Sequence, residues 1–592
     1  VVIADPTPER IRAALAPQGV LADPNDPKLV DQGTPSDVVV TTKPRRPVPI
    51  GDADLKIPIE REPRAGHYAP ANRLVTIGDS LTHGFHHFAI YDTDVSYPAL
   101  LAYELGCYDA FKRPRYENEH GGTPMNLEAL ARRLDRVSWL PPGLHFLGQA
   151  WEGFNFVAQV ATVWNSPPLR PPQHEWITHN LAVMGWDLTD TFSRTAAEYE
   201  ASLRAELAEI ELRLGILARI ALARLADPTA GSVIDRIWAL FHHSQAYAAL
   251  PVLNPSRLPA FANSTALDLA KELGQQGTGG RVDRNGIETL IVWLGANNAL
   301  GSIINLTLEW TSDLTDKCRA IPASATVWRP THFAKALKKV EEKVHDVKAN
   351  NVIWLTIPHV TIAPLAHGIG NQDKGSRYFE AYVRPWDNLE AGLFGKYLQL
   401  SANQCRAIDS AIDQYNWMIE DVVRTARRRG KNWLLLDFAG FLDVLAIRRY
   451  KRGARKDALP TWWEALQPMF QLPTQLHAQI GMTPTTEFFH AGTNGAIDRG
   501  GLFGLDGVHP TTIGYGAIAQ RIIDVMQLHT DVVFKDHDGV TPRRTPIQVD
   551  FKALAQLDSL FSDPPKSVDG VLRNLERLDY VGLNQLLQHR WF

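Results

Sequence analysis

The chain has 592 residues, 45% of them hydrophobic and 21% charged, with 61 Lys and Arg against 65 Asp and Glu for a formal net charge of −4. That composition excludes a wholly disordered or fibrous chain. The near balance of charge argues against nucleic acid as a partner, because displacing counterions from phosphates needs a basic footprint.

Residues 1–70 carry about a dozen of the 39 prolines. Proline fixes φ and removes a donor, so this stretch reads as an extended arm wrapped on the surface, with a short helix near residues 9–15. The first residues form neither a basic n-region nor an apolar signal core, so a cytoplasmic location is the expectation, although without an initiator Met a trimmed leader stays open. From residue 73 the pattern changes. Short apolar runs at 74–77, 178–183, 290–294, 352–357 and 433–437 read as strands buried on both faces. Helix candidates at 97–105, 333–349, 403–429 and 511–527 alternate with them, so the expectation is an α/β fold built on a five-stranded parallel sheet covered on both sides.

Residues 71–530 therefore read as one domain with large, mainly helical insertions at about 106–175, 193–286 and 440–504, too long for simple crossovers. In the second insertion, Leu203, Leu207, Ile210, Leu214 and Leu217 make an amphipathic stripe ending near Asp227-Pro228, with a partner helix at 233–250. A structural hairpin is favoured over a lid. Residues 531–592 read as a polar tail. No apolar run approaches the roughly 18 residues of a membrane span. Cys107, Cys318 and Cys405 are too few and too far apart for a disulfide framework or a zinc-type cluster.

Four segments carry chemistry. In Gly78-Asp79-Ser80-Leu81, a strand ends and Ser80 sits on the turn into a helix, at the edge where open α/β sheets bind ligands. Alone, this serine reads equally well as a helix N-cap. Gly185 follows the second strand and lets a partner approach its backbone N–H, as an oxyanion donor requires. Asn297 follows the third strand and offers a side-chain amide. Asp506-Gly507-Val508-His509-Pro510 supplies a carboxylate and an imidazole three residues apart, a spacing that lets Asp506 accept from one ring nitrogen while the other faces Ser80.

These four blocks, in this order, resemble the SGNH or GDSL hydrolase superfamily: Ser80 in Gly-Asp-Ser-Leu, Gly185, Asn297 in Gly-Ala-Asn-Asn, and His509 in Asp-Gly-Val-His-Pro. The resemblance covers roughly residues 70–190, 286–360 and 400–530. It departs at Asn298, where the family usually has Asp. It implies a flavodoxin-like three-layer α/β/α sandwich and a carboxylic ester hydrolase, esterase or lipase-like, acting through an acyl-enzyme. Ser80 would be nucleophile, His509 base and Asp506 its orienting carboxylate. The Ser80 N–H, the Gly185 N–H and the Asn297 amide would form the oxyanion hole. No metal or organic cofactor is expected, and the partner would be a small ester or acylated molecule. The alternatives are a carbohydrate O-deacetylase or acyltransferase on the same fold, or a catalytically silent binding scaffold.

Other features take plainer readings. His83, His86 and His87 share a face if helical, but no nearby ligand completes a metal site. The glycines between 274 and 280 read as a loop. Basic residues at 424–431 read as a solvated helix end, and those at 448–456 as a loop that could steer an anion. Trp462 and Trp463 read as packing before ligand contacts.

Overall fold

A computed structural model describes residues 3, 5–59, 70–116, 122–137, 152, 156, 159, 176–204, 244–276, 286–373, 375–385, 398–446, 449–450, 459–492 and 495–565. Its centre is one sheet of five parallel strands: β1 (Asn72–Gly78), β2 (Asn180–Ala182), β3 (Ile287–Trp293), β4 (Ala349–Leu355) and β5 (Trp433–Leu436). Their spatial order is β5-β4-β3-β1-β2, so connections leave β1 in opposite directions and a crevice opens between β1 and β3 at the sheet's C-terminal edge. The apolar runs form strands because both faces are covered. In β4, Val352 and Trp354 enter one core while Ile353 and Leu355 enter the other, as a period of two demands.

Eight helices matter for the site: α1 (Ser80–His83), α2 (Tyr97–Glu104), α3 (Ser244–Leu253), α4 (Asn297–Asn305), α5 (Pro330–His345), α6 (Ala402–Arg428), α7 (Phe438–Leu445) and α8 (Thr512–His529). α5 and α6 bury their apolar stripes on one face of the sheet; α2, α7 and α8 cover the other. Ser401 and Gln404 close a capping box at the start of α6. The helix expected to reach 349 ends at His345, because Ala349 and Asn351 already pair with Ile287 and Thr289 of β3.

The N-terminal arm lies along α6. Thr41 N donates to Ser410 Oγ (3.1 Å), Gln414 Nε2 to the Asp37 carbonyl (3.0 Å), and Asp437 takes both Val48 N–H (2.7 Å) and the Arg45 guanidinium. The short helix near its start spans Pro8–Leu15. In the insertions, helices form at Leu127–Arg136, in α3, at Ala266–Gln275, in α7 at the start of the third, and at Thr474–Ile480. The stripe beyond Leu203, its end at Asp227-Pro228 and the first part of its partner helix lie outside the described residues. An antiparallel sheet of His367–Gln372, Phe379–Val383 and Leu400–Ser401, between β4 and α6, was not expected from sequence. Among the described residues no helix is long and apolar enough to cross a membrane.

Candidate active site

Parallel register brings three strand ends level: Gly78 of β1 stands opposite Ala182 of β2 and Trp293 of β3. Ser80 follows two residues later as the first residue of α1, Gly185 three residues after β2, and Asn297 at the start of α4. The turn out of β1 needs glycine, since a Cβ at Gly78 would lie 2.1 Å from Thr82 Oγ1. Asp79 caps α1 by accepting the Leu81 N–H (3.1 Å), and burial raises its carboxyl to about 7.

His509 arrives from the far end of the chain, just before α8. Its Nε2 lies 2.8 Å from Ser80 Oγ and its Nδ1 3.0 Å from Asp506 Oδ2. All three are buried, at 2%, 1% and 7% exposure for Ser80, His509 and Asp506. Asp506 also accepts backbone N–H groups from Val508, His509 and Phe88, each at 2.8 Å. Burial alone would raise this carboxyl, but the His509 imidazole and the N–H donors outweigh it and hold it down to about 2. An ionised Asp506 only accepts, so His509 Nδ1 carries a proton toward it. That leaves Nε2 of the neutral ring to accept the Ser80 hydroxyl proton.

The Phe88 donor was missed in the sequence. Its N–H is aimed by a local reversal in which His87 and Phe88 both take the left-handed region, at φ 54° and 63°. His87 Nδ1 then accepts the Leu505 N–H (3.1 Å), tying the reversal to the loop that carries Asp506. A backbone donor has no side-chain signature. The histidine pair was visible, but its shared helical face was not realised, because α1 ends at His83.

Gly185 adopts φ 79°, a conformation that favours glycine. Among the described residues its N–H has no acceptor in the protein, and neither has the Ser80 N–H. Asn297 Nδ2 donates one hydrogen to the Trp186 carbonyl (2.7 Å), which fixes the amide and leaves its second hydrogen uncommitted. Buried Asn298 accepts the Leu188 N–H (3.3 Å), so both asparagines hold the loop after β2.

Ser80 and His509 open onto a cavity with about 770 Å³ of empty volume, part of it continuous with solvent. Its walls come from Trp293 and Leu300, from Phe438, Phe441 and Leu442 of α7, from Phe503, and from Ile518 of α8. Apart from Ser80, His359 and His509, the lining side chains are apolar. Trp462 and Trp463 are not among them.

Two sequence expectations are corrected. Arg424 and Arg427 are not a solvated face: they are 6% and 3% exposed, with Arg424 on Glu420 and Arg427 on the Ile57 carbonyl and Asn432 Oδ1. Arg449, expected in an anion-steering loop, is 4% exposed and bound to Asp409 (2.7 Å) and Asp443 (3.2 Å). Gly274 belongs to the helix Ala266–Gln275, while residues 277–280 lie outside the described residues. Among the described residues no group of three or more His, Cys, Asp or Glu is arranged to hold a metal ion.

An alcohol held against an imidazole, itself backed by a carboxylate and flanked by uncommitted N–H donors, can be deprotonated as it attacks an electrophilic carbon. Comparison with protein-family models, with curated proteins and with solved structures found no match to this chain.

Proposed function

We propose that this chain is a serine-dependent carboxylic ester hydrolase of the SGNH type, acting on esters with an aliphatic acyl group. The observation that carries the reading is the Ser80–His509–Asp506 array, at 2.8 and 3.0 Å, at the mouth of an apolar cavity. The strand order, with β2 outside β1 and β3 to β5 following on the other side, is the flavodoxin-like one and supports the same resemblance. Asn298 departs from the family's usual Asp, yet its amide holds the Leu188 N–H, so the loop keeps an anchor at that position.

In this reading the Ser80 hydroxyl attacks the ester carbonyl carbon while His509 Nε2 takes its proton. Asp506 stabilises the imidazolium that forms. The carbonyl electron pair moves onto oxygen, where the Ser80 and Gly185 N–H groups and the second Asn297 amide hydrogen receive it. Each such donor is typically worth about 10²–10³ in rate. Collapse expels the alcohol, which takes the His509 proton, and leaves Ser80 acylated. Water, deprotonated by the same imidazole, attacks the acyl carbon and returns Ser80 and the free acid. The apolar cavity favours an acyl chain over a sugar ring and so ranks acyl-ester hydrolysis above carbohydrate deacetylation.

The test is a nitrophenyl ester series with wild type and Ser80→Ala. The wild-type kcat/KM rises from acetyl to octanoyl, and Ser80→Ala loses roughly 10⁴–10⁶ in kcat on every member. A fluorophosphonate labels Ser80 in the wild type; a silent scaffold would not react. Full activity in Ser80→Ala would overturn the reading.

A further inference from the structure

His83 is the third residue after Ser80, fully buried, and has no role in the steps above. Its Nδ1 accepts the Met184 N–H at 3.1 Å, and Met184 immediately precedes Gly185. Its Nε2 lies 2.6 Å from Tyr116 Oη, and the Tyr116 hydroxyl donates to the Ala248 carbonyl of α3 at 2.7 Å. The direction of the whole chain follows. Tyr116 spends its only proton on Ala248, so its oxygen accepts from His83 Nε2–H. His83 Nδ1 is then bare and accepts from Met184. Every donor meets an acceptor only with a neutral ring in this one tautomer. Burial favours that neutral form, lowering the imidazole to about 3. On the other side of Met184, Gln245 Nε2 of α3 donates to its carbonyl (3.1 Å), so both polar groups of that peptide are pinned.

We propose that His83 is a positioning residue for the oxyanion hole: it ties the helix bearing Ser80 to the loop bearing Gly185 and so fixes the spacing between their two N–H donors. The inference rests on the ester-hydrolase reading. A carbonyl oxygen that gains charge in the transition state needs both donors at hydrogen-bond distance simultaneously, and one sits on α1 while the other sits after β2. His83–Met184 is a direct hydrogen bond between those two segments. Freed from it, the Gly185 loop could shift relative to Ser80, and misplacement by about 1 Å is enough for a large loss of rate. The same chain gives the second insertion a task, since α3 holds both its far end at Ala248 and the opposite side of Met184.

Two near-isosteric variants separate this role from simple packing. His83→Asn keeps an acceptor the same number of bonds from Cβ as Nδ1, so it retains the Met184 N–H. His83→Gln reaches instead the Nε2 position and retains only Tyr116. Expected is a loss of roughly 10²-fold in kcat for His83→Gln with KM little changed, and recovery of most of it in His83→Asn. The affinity of an alkyl trifluoromethyl ketone, which forms a tetrahedral adduct on Ser80, falls with kcat/KM in His83→Gln, whereas that of the product carboxylic acid does not. Melting temperatures monitor folding, and should His83→Ala fail to fold, the Asn/Gln comparison still decides. Equal activity of the Asn and Gln variants, with Ser80→Ala inactive, would overturn this inference alone. Activity of Ser80→Ala would overturn the reading beneath it.

Discussion

Two histidines stand beside carboxylates on the same cavity, and their environments assign them opposite work. His509 has one nitrogen on Asp506 and the other on the Ser80 hydroxyl. His359, which follows β4, has Nε2 2.9 Å from Asp413 and Nδ1 3.8 Å from both Asp409 and Asp443. Arg449 and Arg377 close the group, Arg449 on Asp409 and Asp443 and Arg377 on Asp443 (3.4 Å). Arg449 Nη1 also lies 3.4 Å from His359 Nδ1, a contact that suits a neutral ring. Charge balance decides otherwise, because three carboxylates against two guanidiniums leave one negative charge for the ring to neutralise. Burial disfavours the charged ring, yet Asp409 and Asp413 outweigh it and raise the imidazole to about 9. A histidine–aspartate pair is thus not enough to make a base. The second nitrogen must face something that gives up a proton, and in His359 it faces another carboxylate.

The comparison breaks most sharply at the carboxylates. In Asp506→Asn the amide can donate to Nδ1, which favours the tautomer with its proton on Nε2, facing Ser80. By analogy with serine enzymes whose orienting carboxylate is removed in this way, kcat on the octanoyl ester falls by about 10⁴. Retained activity would mean that His509 needs no orienting charge. The next effect falls on stability. His359→Ala leaves three buried carboxylates facing two guanidiniums, and breaking a buried charge group of this kind costs about 3–5 kcal/mol. Urea unfolding measures it, and the folded fraction should still label with a fluorophosphonate. Normal stability combined with lost labelling would exchange the roles assigned to the two histidines.

What was legible in the sequence follows from where the physical signal is local. The strands were, because a parallel strand buried on both faces is an apolar run whatever packs on it, and all five were located within a few residues. The ends of β2 and α5 were misjudged where neighbours decide pairing. Ser80, Asp506 and His509 were legible because turn-forming neighbours and a three-residue spacing mark them. The His359 group was not. Its members come from positions 359, 377, 409, 413, 443 and 449, each an ordinary polar residue in its own segment, and only the fold brings them together. For that reason Arg449 read as a loop cation. His83 was noticed without its task, because its partner is a backbone N–H about a hundred residues away.

The smallest effect concerns the proton on His359. A ring that titrates near 6.5 when unfolded and about 9 when folded stabilises the protein fully below pH 6.5, and that contribution disappears as pH rises through 9. The window holds about 3 kcal/mol for a shift of this size. Other groups in the cluster do not titrate there: Asp443 and Asp409 are held below the usual carboxylate range, and the Tyr378 and Tyr450 phenols and the Arg449 guanidinium are raised above their usual values. Elsewhere, Asp79 and Asp558 are raised by burial to about 7 and 6, so they also lower stability as pH rises, but their effect ends near neutrality. Cys107, raised to about 12, adds its own loss once the unfolded thiol ionises above about 8.5. Denaturation curves at pH 7.0, 7.75 and 8.5 for wild type and His359→Gln therefore isolate the imidazole by difference. The wild type should lose stability across the series and the variant much less. Parallel slopes would mean that the ring is neutral throughout, that Arg449 donates to its Nδ1, and that the two histidines differ in access to a hydroxyl rather than in charge.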